Sequence, residues 1–149
     1  MTMLLALGLL AGCGSKSNVS TTPTGTFKII RKATLNTKWQ MYQFELNIPV
    51  NGAFDIDLLG MANSDKADGY FYQEKGSGAA LTIAAGSEQI YNSAATTGVT
   101  SDRFSFTASL PLGTAYVLNF KNTGSDTTTV FVEVIYPATA QIRGPLDVK

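Results

Sequence analysis

Eight phenylalanines, six tyrosines and one tryptophan are the side chains best equipped to act in this 149-residue chain, because it contains no histidine. That absence removes the commonest general base, the commonest zinc ligand and the charge switch near neutral pH together. Tyr70, Phe71 and Tyr72 stand in sequence. On an extended segment neighbours point to opposite faces, so Phe71 and the Tyr70/Tyr72 pair cannot share one core, and one side must face outward. Together with Trp39, Tyr42 and Tyr91 they form the kind of aromatic surface against which a sugar stacks. The ligand-facing candidates are therefore Tyr70, Tyr72 and Trp39. One flat outward patch would mark a carbohydrate-binding or prepeptidase-type accessory module, whereas burial or scatter would end the carbohydrate reading.

The oxygen-bearing residues give weaker signals. Asn63, Asp65, Asp68 and Gly69 lie in one acid-rich loop, but the spacing misses the calcium loop of an EF-hand and Lys66 interrupts it, so it reads as a solvated turn. Asp55 and Asp57 alternate on one strand; paired carboxylates are the equipment of glycoside hydrolysis, yet these two read as an exposed sheet face. Gly76-Ser77-Gly78 lacks the helix and the lysine of a phosphate cradle and reads as a flexible loop. Eleven basic and eleven acidic residues cancel at 15% charged, which argues against nucleic acid as a partner. No catalytic constellation, metal site or cofactor emerges, and the expected role is non-enzymatic.

Cys13 is the only cysteine, so stability must come from packing without a disulfide. The apolar run from Met3 to Ala11 is about half of what a membrane-crossing helix needs. Followed by small residues, it has the form of a secretory signal. Leu10, Ala11, Gly12 and Cys13 resemble the lipobox of bacterial lipoproteins. The resemblance implies cleavage before Cys13, a diacylglycerol on its thiol and a fatty acyl group, such as palmitate, on the new amino terminus. Two or more such chains anchor stably where one holds only reversibly. Residues 1–12 are then the signal peptide, and residues 13–25 are the lipidated cysteine with a polar tether rich in Gly, Ser and Thr. No Lys or Arg precedes the apolar run, which points to a start codon upstream. The expected address is the bacterial cell envelope, on the outer side of the cytoplasmic membrane or in the outer membrane. The expected partners are the membrane, through the anchor, and protein or carbohydrate at the cell surface.

The elements that must position these residues are strands. After Gly25 apolar residues recur at period two, and no clear helical stripe of useful length appears. Gln40 to Ile48, Phe54 to Leu58, Arg103 to Leu110, Tyr116 to Asn122 and Val130 to Tyr136 alternate clearly, and four weaker runs begin at Phe27, Gly69, Leu81 and Glu88. Eight or nine short strands separated by turn signals predict an all-β fold, a two-sheet antiparallel sandwich of jelly-roll type over residues 26–137. Asn51-Gly52, between two alternating runs, is expected to close a type I′ hairpin. Residues 138–149 show no period and are expected to form a loosely ordered tail.

Phe104, Phe106, Gly113, Tyr116, Leu118, Phe120 and Asn122 follow an order similar to the closing strands of the GOLD domain, the β-sandwich of the emp24/p24 group. The resemblance implies a non-enzymatic sandwich used for binding or presentation. It does not extend to the vesicle-cargo role of eukaryotic members, because the cysteine pair and coiled coil are missing. Read from the residues alone, the five aromatic and leucine positions make one inward face, and Asn122 suits a left-handed turn position.

Overall fold

The computed structural model describes residues 25–93 and 101–144, and every regular element among them is a strand. Cys13 and the lipobox residues lie outside the described residues. The strands are β1 (Thr26–Thr34), β2 (Trp39–Ile48), β3 (Ala53–Leu59), β4 (Lys66–Lys75), β5 (Ala79–Ala85), β6 (Glu88–Asn92), β7 (Ser101–Thr107), β8 (Tyr116–Asn122), β9 (Thr128–Pro137) and β10 (Gln141–Arg143). They form two five-stranded antiparallel sheets, ordered β1-β2-β9-β4-β7 and β10-β3-β8-β5-β6. Only β1–β2 and β5–β6 are hairpins; each other connection passes from one sheet to the other. Strands β2 to β9 thereby wind as a jelly roll, and β1 and β10 each extend one sheet at its edge.

Period-two alternation explains the layering. Strand β2 buries Tyr42, Phe44, Leu46 and Ile48, β9 buries Val130, Val132, Val134 and Tyr136, and β8 of the facing sheet buries Tyr116, Leu118 and Phe120. Phe120 stands at the centre. Its ring meets Phe44 at 6.2 Å and Phe71 at 6.0 Å, both close to edge-on, the arrangement that aromatic quadrupoles prefer.

Three connections depart from the sequence expectation. Asn51-Gly52 closes no hairpin, since β2 and β3 lie in different sheets. Only Asn51 has positive φ, at 64°, and the Gly52 N–H donates to the Pro49 carbonyl at 2.8 Å. A single positive φ at the third position makes a type II turn, which splays its flanking strands and so suits a crossing between sheets. The supposed loose tail contains β10, which pairs with β3 and buries Ile142. Its return is held by Gln40 Nε2, which donates to the carbonyls of Pro137 at 3.0 Å and Ala140 at 2.7 Å. The loop Gly76-Ser77-Gly78 is pinned to the β8–β9 turn: Ser77 Oγ accepts from the Ser125 N–H at 2.9 Å, and the Gly78 carbonyl accepts from the Thr123 N–H at 3.2 Å.

Asn122 has no left-handed backbone. It is buried, and its Nδ2 donates to the carbonyls of Ile48 at 2.9 Å and Asp126 at 2.7 Å while its Oδ1 accepts from the Gly124 N–H at 2.8 Å. One amide thus ties the end of β2, in one sheet, to the end of β8, in the other.

Candidate functional site

The outer face of the β1-β2-β9-β4-β7 sheet carries the aromatic candidates. On β4, Phe71 turns into the core while Tyr70 and Tyr72 turn outward, with ring planes within 10° and centroids 6.3 Å apart. Antiparallel pairing sets Phe131 of β9 opposite Tyr72, and their rings lie 5.1 Å apart at 27°. Phe131 also meets Tyr70 at 6.1 Å and 32°. The result is a three-ring strip. Tyr72 is 39% exposed, the most accessible large apolar surface of the strip.

A polar row runs beside the strip, fixed by register: Gln43 on β2, Glu133 on β9, Tyr70 on β4 and Arg103 on β7. Gln43 Nε2 donates to Glu133 Oε2 at 2.7 Å, and the Arg103 guanidinium lies over the Tyr70 ring at 5.8 Å. Burial, and then the charges of Glu133 and Tyr72, raise the Tyr70 phenol above its ordinary pKa, with Arg103 opposing. The next row begins with Asp68, whose Oδ1 accepts from Ser105 Oγ at 2.5 Å. Asp68, Tyr70, Arg103, Ser105, Glu133 and Ile135 border an open depression of about 490 Å³, and a second of about 250 Å³ lies across Tyr70 and Tyr72 toward Ser101 and Asp102. At the Tyr72 end, the neighbouring Glu45 carboxyl, followed by burial, raises the Glu74 carboxyl pKa.

Gly69 provides the footing. It sits on β4 between Asp68 and Tyr70, opposite Phe104 of β7. A Cβ built there would stand 2.3 Å from Phe104 Cζ and 2.4 Å from the Glu133 carbonyl oxygen. The missing side chain is what lets the Phe104 ring close over β4 and keeps the rows in place.

The remaining sequence candidates lie elsewhere. Trp39 is half-buried at the start of β2 and pairs with Pro137, two strands from β4 and about 14 Å along the sheet from the Tyr70 row. It does not join the strip. Asp65 folds back on its own turn, where Oδ2 accepts from the Ala62 N–H at 2.8 Å, and it does not converge with Asp68. Asp55 accepts from Asn119 Nδ2 at 2.7 Å and Asp57 pairs with Arg143 at 2.9 Å, both on the outer face of the other sheet. Among the described residues no three acids, cysteines or histidines converge as a metal-binding group. Phe131, Glu133 and Arg103 were missed from the sequence. Phe131 and Ile135 did carry a signal, since they are large apolar residues out of phase with the buried valines of β9.

Tyr91 bridges the β6 and β7 edges of the two sheets. From β6 its hydroxyl donates to the carboxylate of Asp102 on β7. Burial first, and then the hydrogen bond and charge of Asp102, raise the phenol pKa well above 10. A raised phenol pKa means that the fold favours the neutral form. Its contribution is intact below the unfolded value near 10 and is lost as pH rises beyond it. Tyr91→Phe is expected to cost about 1 kcal/mol at neutral pH and to flatten the loss of stability above pH ~10, measured by urea unfolding across that range. An unchanged alkaline slope would show that other groups set it.

No protein-family model matches the sequence. No curated protein matches it either. Among solved structures, a family 29 carbohydrate-binding module is similar at a TM-score of 0.41 and 9% identity, over 77% of this chain and 87% of that one.

Proposed function

We propose that this chain is a lipid-anchored protein of the bacterial cell envelope with a non-catalytic binding role, and that its ligand is a carbohydrate held on the strip of Tyr70, Tyr72 and Phe131. The observation that carries this reading is the grouping of three contacting rings, inclined to one another by 10° to 32°, on an outward sheet face beside a row of hydrogen-bonding groups. Sugars present apolar C–H faces and polar rims. Aromatic rings answer the first, and Glu133, Gln43, Arg103 and Asp68 answer the second. Glu133 is engaged by Gln43 and Asp68 by Ser105, which suits fixed recognition better than proton transfer. The anchor rests on the lipobox resemblance at Cys13.

Affinity electrophoresis of the protein in gels containing glucan, mannan, xylan or peptidoglycan fragments tests the ligand. Retardation is expected in at least one gel, and Tyr70→Ala/Tyr72→Ala is expected to weaken it at least about thirtyfold, as loss of a binding hot spot does. Trp39→Ala should retain it. No retardation in any gel, or none lost in the double variant, sinks the carbohydrate reading. For the anchor, intact mass and membrane fractionation of the native chain beside Cys13→Ala decide: an acylated, membrane-bound mature chain is expected only with Cys13.

A further inference from the structure

The charge of this chain is balanced overall and unbalanced along its length. Glu45 is the first acidic residue; Lys16, Lys28, Arg31, Lys32 and Lys38 all precede it, leaving six basic against eleven acidic residues from Glu45 onward. Three of those five cations lie on β1. This edge strand is exposed along most of its nine residues, with Ile29 at 46% and Ile30 at 44%, and Leu35 just beyond it at 46%. The reason is a mismatch of lengths. Its counterpart at the edge of the facing sheet, β10, has only three residues. Phe27 is covered by the chain at Gly144, but among the described residues no layer lies over the inner side of β1 beyond it. A register shift between Ile29 and Arg31 then adds Ile30 as an extra residue on the rim.

We infer that β1 is a membrane-docking edge: Lys28, Arg31 and Lys32 meet anionic phospholipid headgroups while Ile29 and Ile30 enter the interface between headgroups and acyl chains. Isoleucine flanked by cations on a projecting element is the composition such an interface selects. Charge complementarity favours this occupant over a second copy, since pairing two β1 edges would set like charges against one another. Glu45 stands opposite Lys28 in the register, so Arg31 and Lys32 carry most of the attraction, although Lys32 also rests over the Tyr42 ring at 5.0 Å. Twelve residues, thirteen Cα steps, separate Cys13 from Thr26, which keeps β1 within about 45 Å of any lipid on that thiol. In this respect the inference builds on the proposed anchor. Docking by β1 would stand the sheet on edge, with the aromatic strip facing sideways roughly 10 to 15 Å above the surface.

The test uses the full chain carrying Cys13→Ser, so that it does not depend on lipidation, and vesicles of phosphatidylcholine with or without phosphatidylglycerol. The apolar run before Cys13 is the same in every variant, so the quantity read is the change, from parent to variant, in the ratio of anionic to neutral partitioning. Arg31→Gln/Lys32→Gln is expected to lower that ratio about 25-fold at low salt, near fivefold per cation, and high salt should reproduce the loss in the parent. Ile29→Ser/Ile30→Ser should weaken binding to anionic vesicles about fivefold in a way that salt does not mimic. Thermal unfolding of each variant confirms the fold. A ratio unchanged in the charge variant overturns the inference, as does preferential binding of a soluble anionic polysaccharide over anionic vesicles. Failure of β1 docking is distinguishable from failure of the anchor, which the mass of the acylated native chain decides independently.

Discussion

Asn122→Ala is expected to remove about 3 kcal/mol of folding free energy, a large share for a domain of this size. The side chain is buried and its three hydrogen bonds are to backbone, two from Nδ2 to the carbonyls of Ile48 and Asp126 and one to Oδ1 from the Gly124 N–H. Truncation leaves the Ile48 carbonyl without a partner in a buried place, at about 1 to 3 kcal/mol, and removes two part-buried bonds at about 1 kcal/mol each. Asn122→Asp separates geometry from chemistry. It keeps the shape and the acceptor but exchanges the donor for a charge aimed at two carbonyl oxygens, so it should be no better tolerated than alanine. Urea unfolding at neutral pH reads both effects. A loss below about 1 kcal/mol for both variants would mean that the junction of the two sheets reorganises around the position.

Gly69→Ala is expected to cost about 3 kcal/mol through overpacking. Its φ is not in the left-handed region, so backbone freedom is not the issue. The added methyl would collide with the Phe104 ring and with the Glu133 carbonyl oxygen. The ring can yield and the backbone oxygen cannot. Combining Gly69→Ala with Phe104→Leu should therefore recover part of the loss, a coupling that a double-mutant cycle measures. Strictly additive losses would show that Phe104 does not occupy the space above Gly69. Because Gly69 lies between Asp68 and Tyr70, the same substitution should weaken carbohydrate retardation even at temperatures where the variant stays folded.

How far the fold was legible in the sequence follows from where its information lies. Alternation is local, so the runs in β2, β3, β8 and β9 identified strands and inward faces from neighbouring residues alone. The adjacency of Tyr70, Phe71 and Tyr72 likewise required two aromatic rings to face away from Phe71. The three-residue β10 was too short to carry a period; pairing with β3 and burial of Ile142 define it. Asn51-Gly52 had the residues of a hairpin turn, but turn composition does not say whether the strands on either side pair or part. Asn122 shows the same limit, since asparagine suits both a left-handed turn and a buried bridge.

The sequence by itself determined the strand content, the choice of inward side chains, the absence of imidazole chemistry and the presence of a lone cysteine. Only the tertiary structure decided which strands became neighbours. Pairing β4 with β9 placed Phe131 against Tyr72 across some sixty residues of chain, while the same register carried Trp39 away to the far end of the sheet. Pairing depends on closing long loops and filling one shared core, and it is set by the whole set of strands together rather than by any window of the sequence. The aromatic strip, its footing on Gly69 and the exposed edge at β1 are consequences of that pairing.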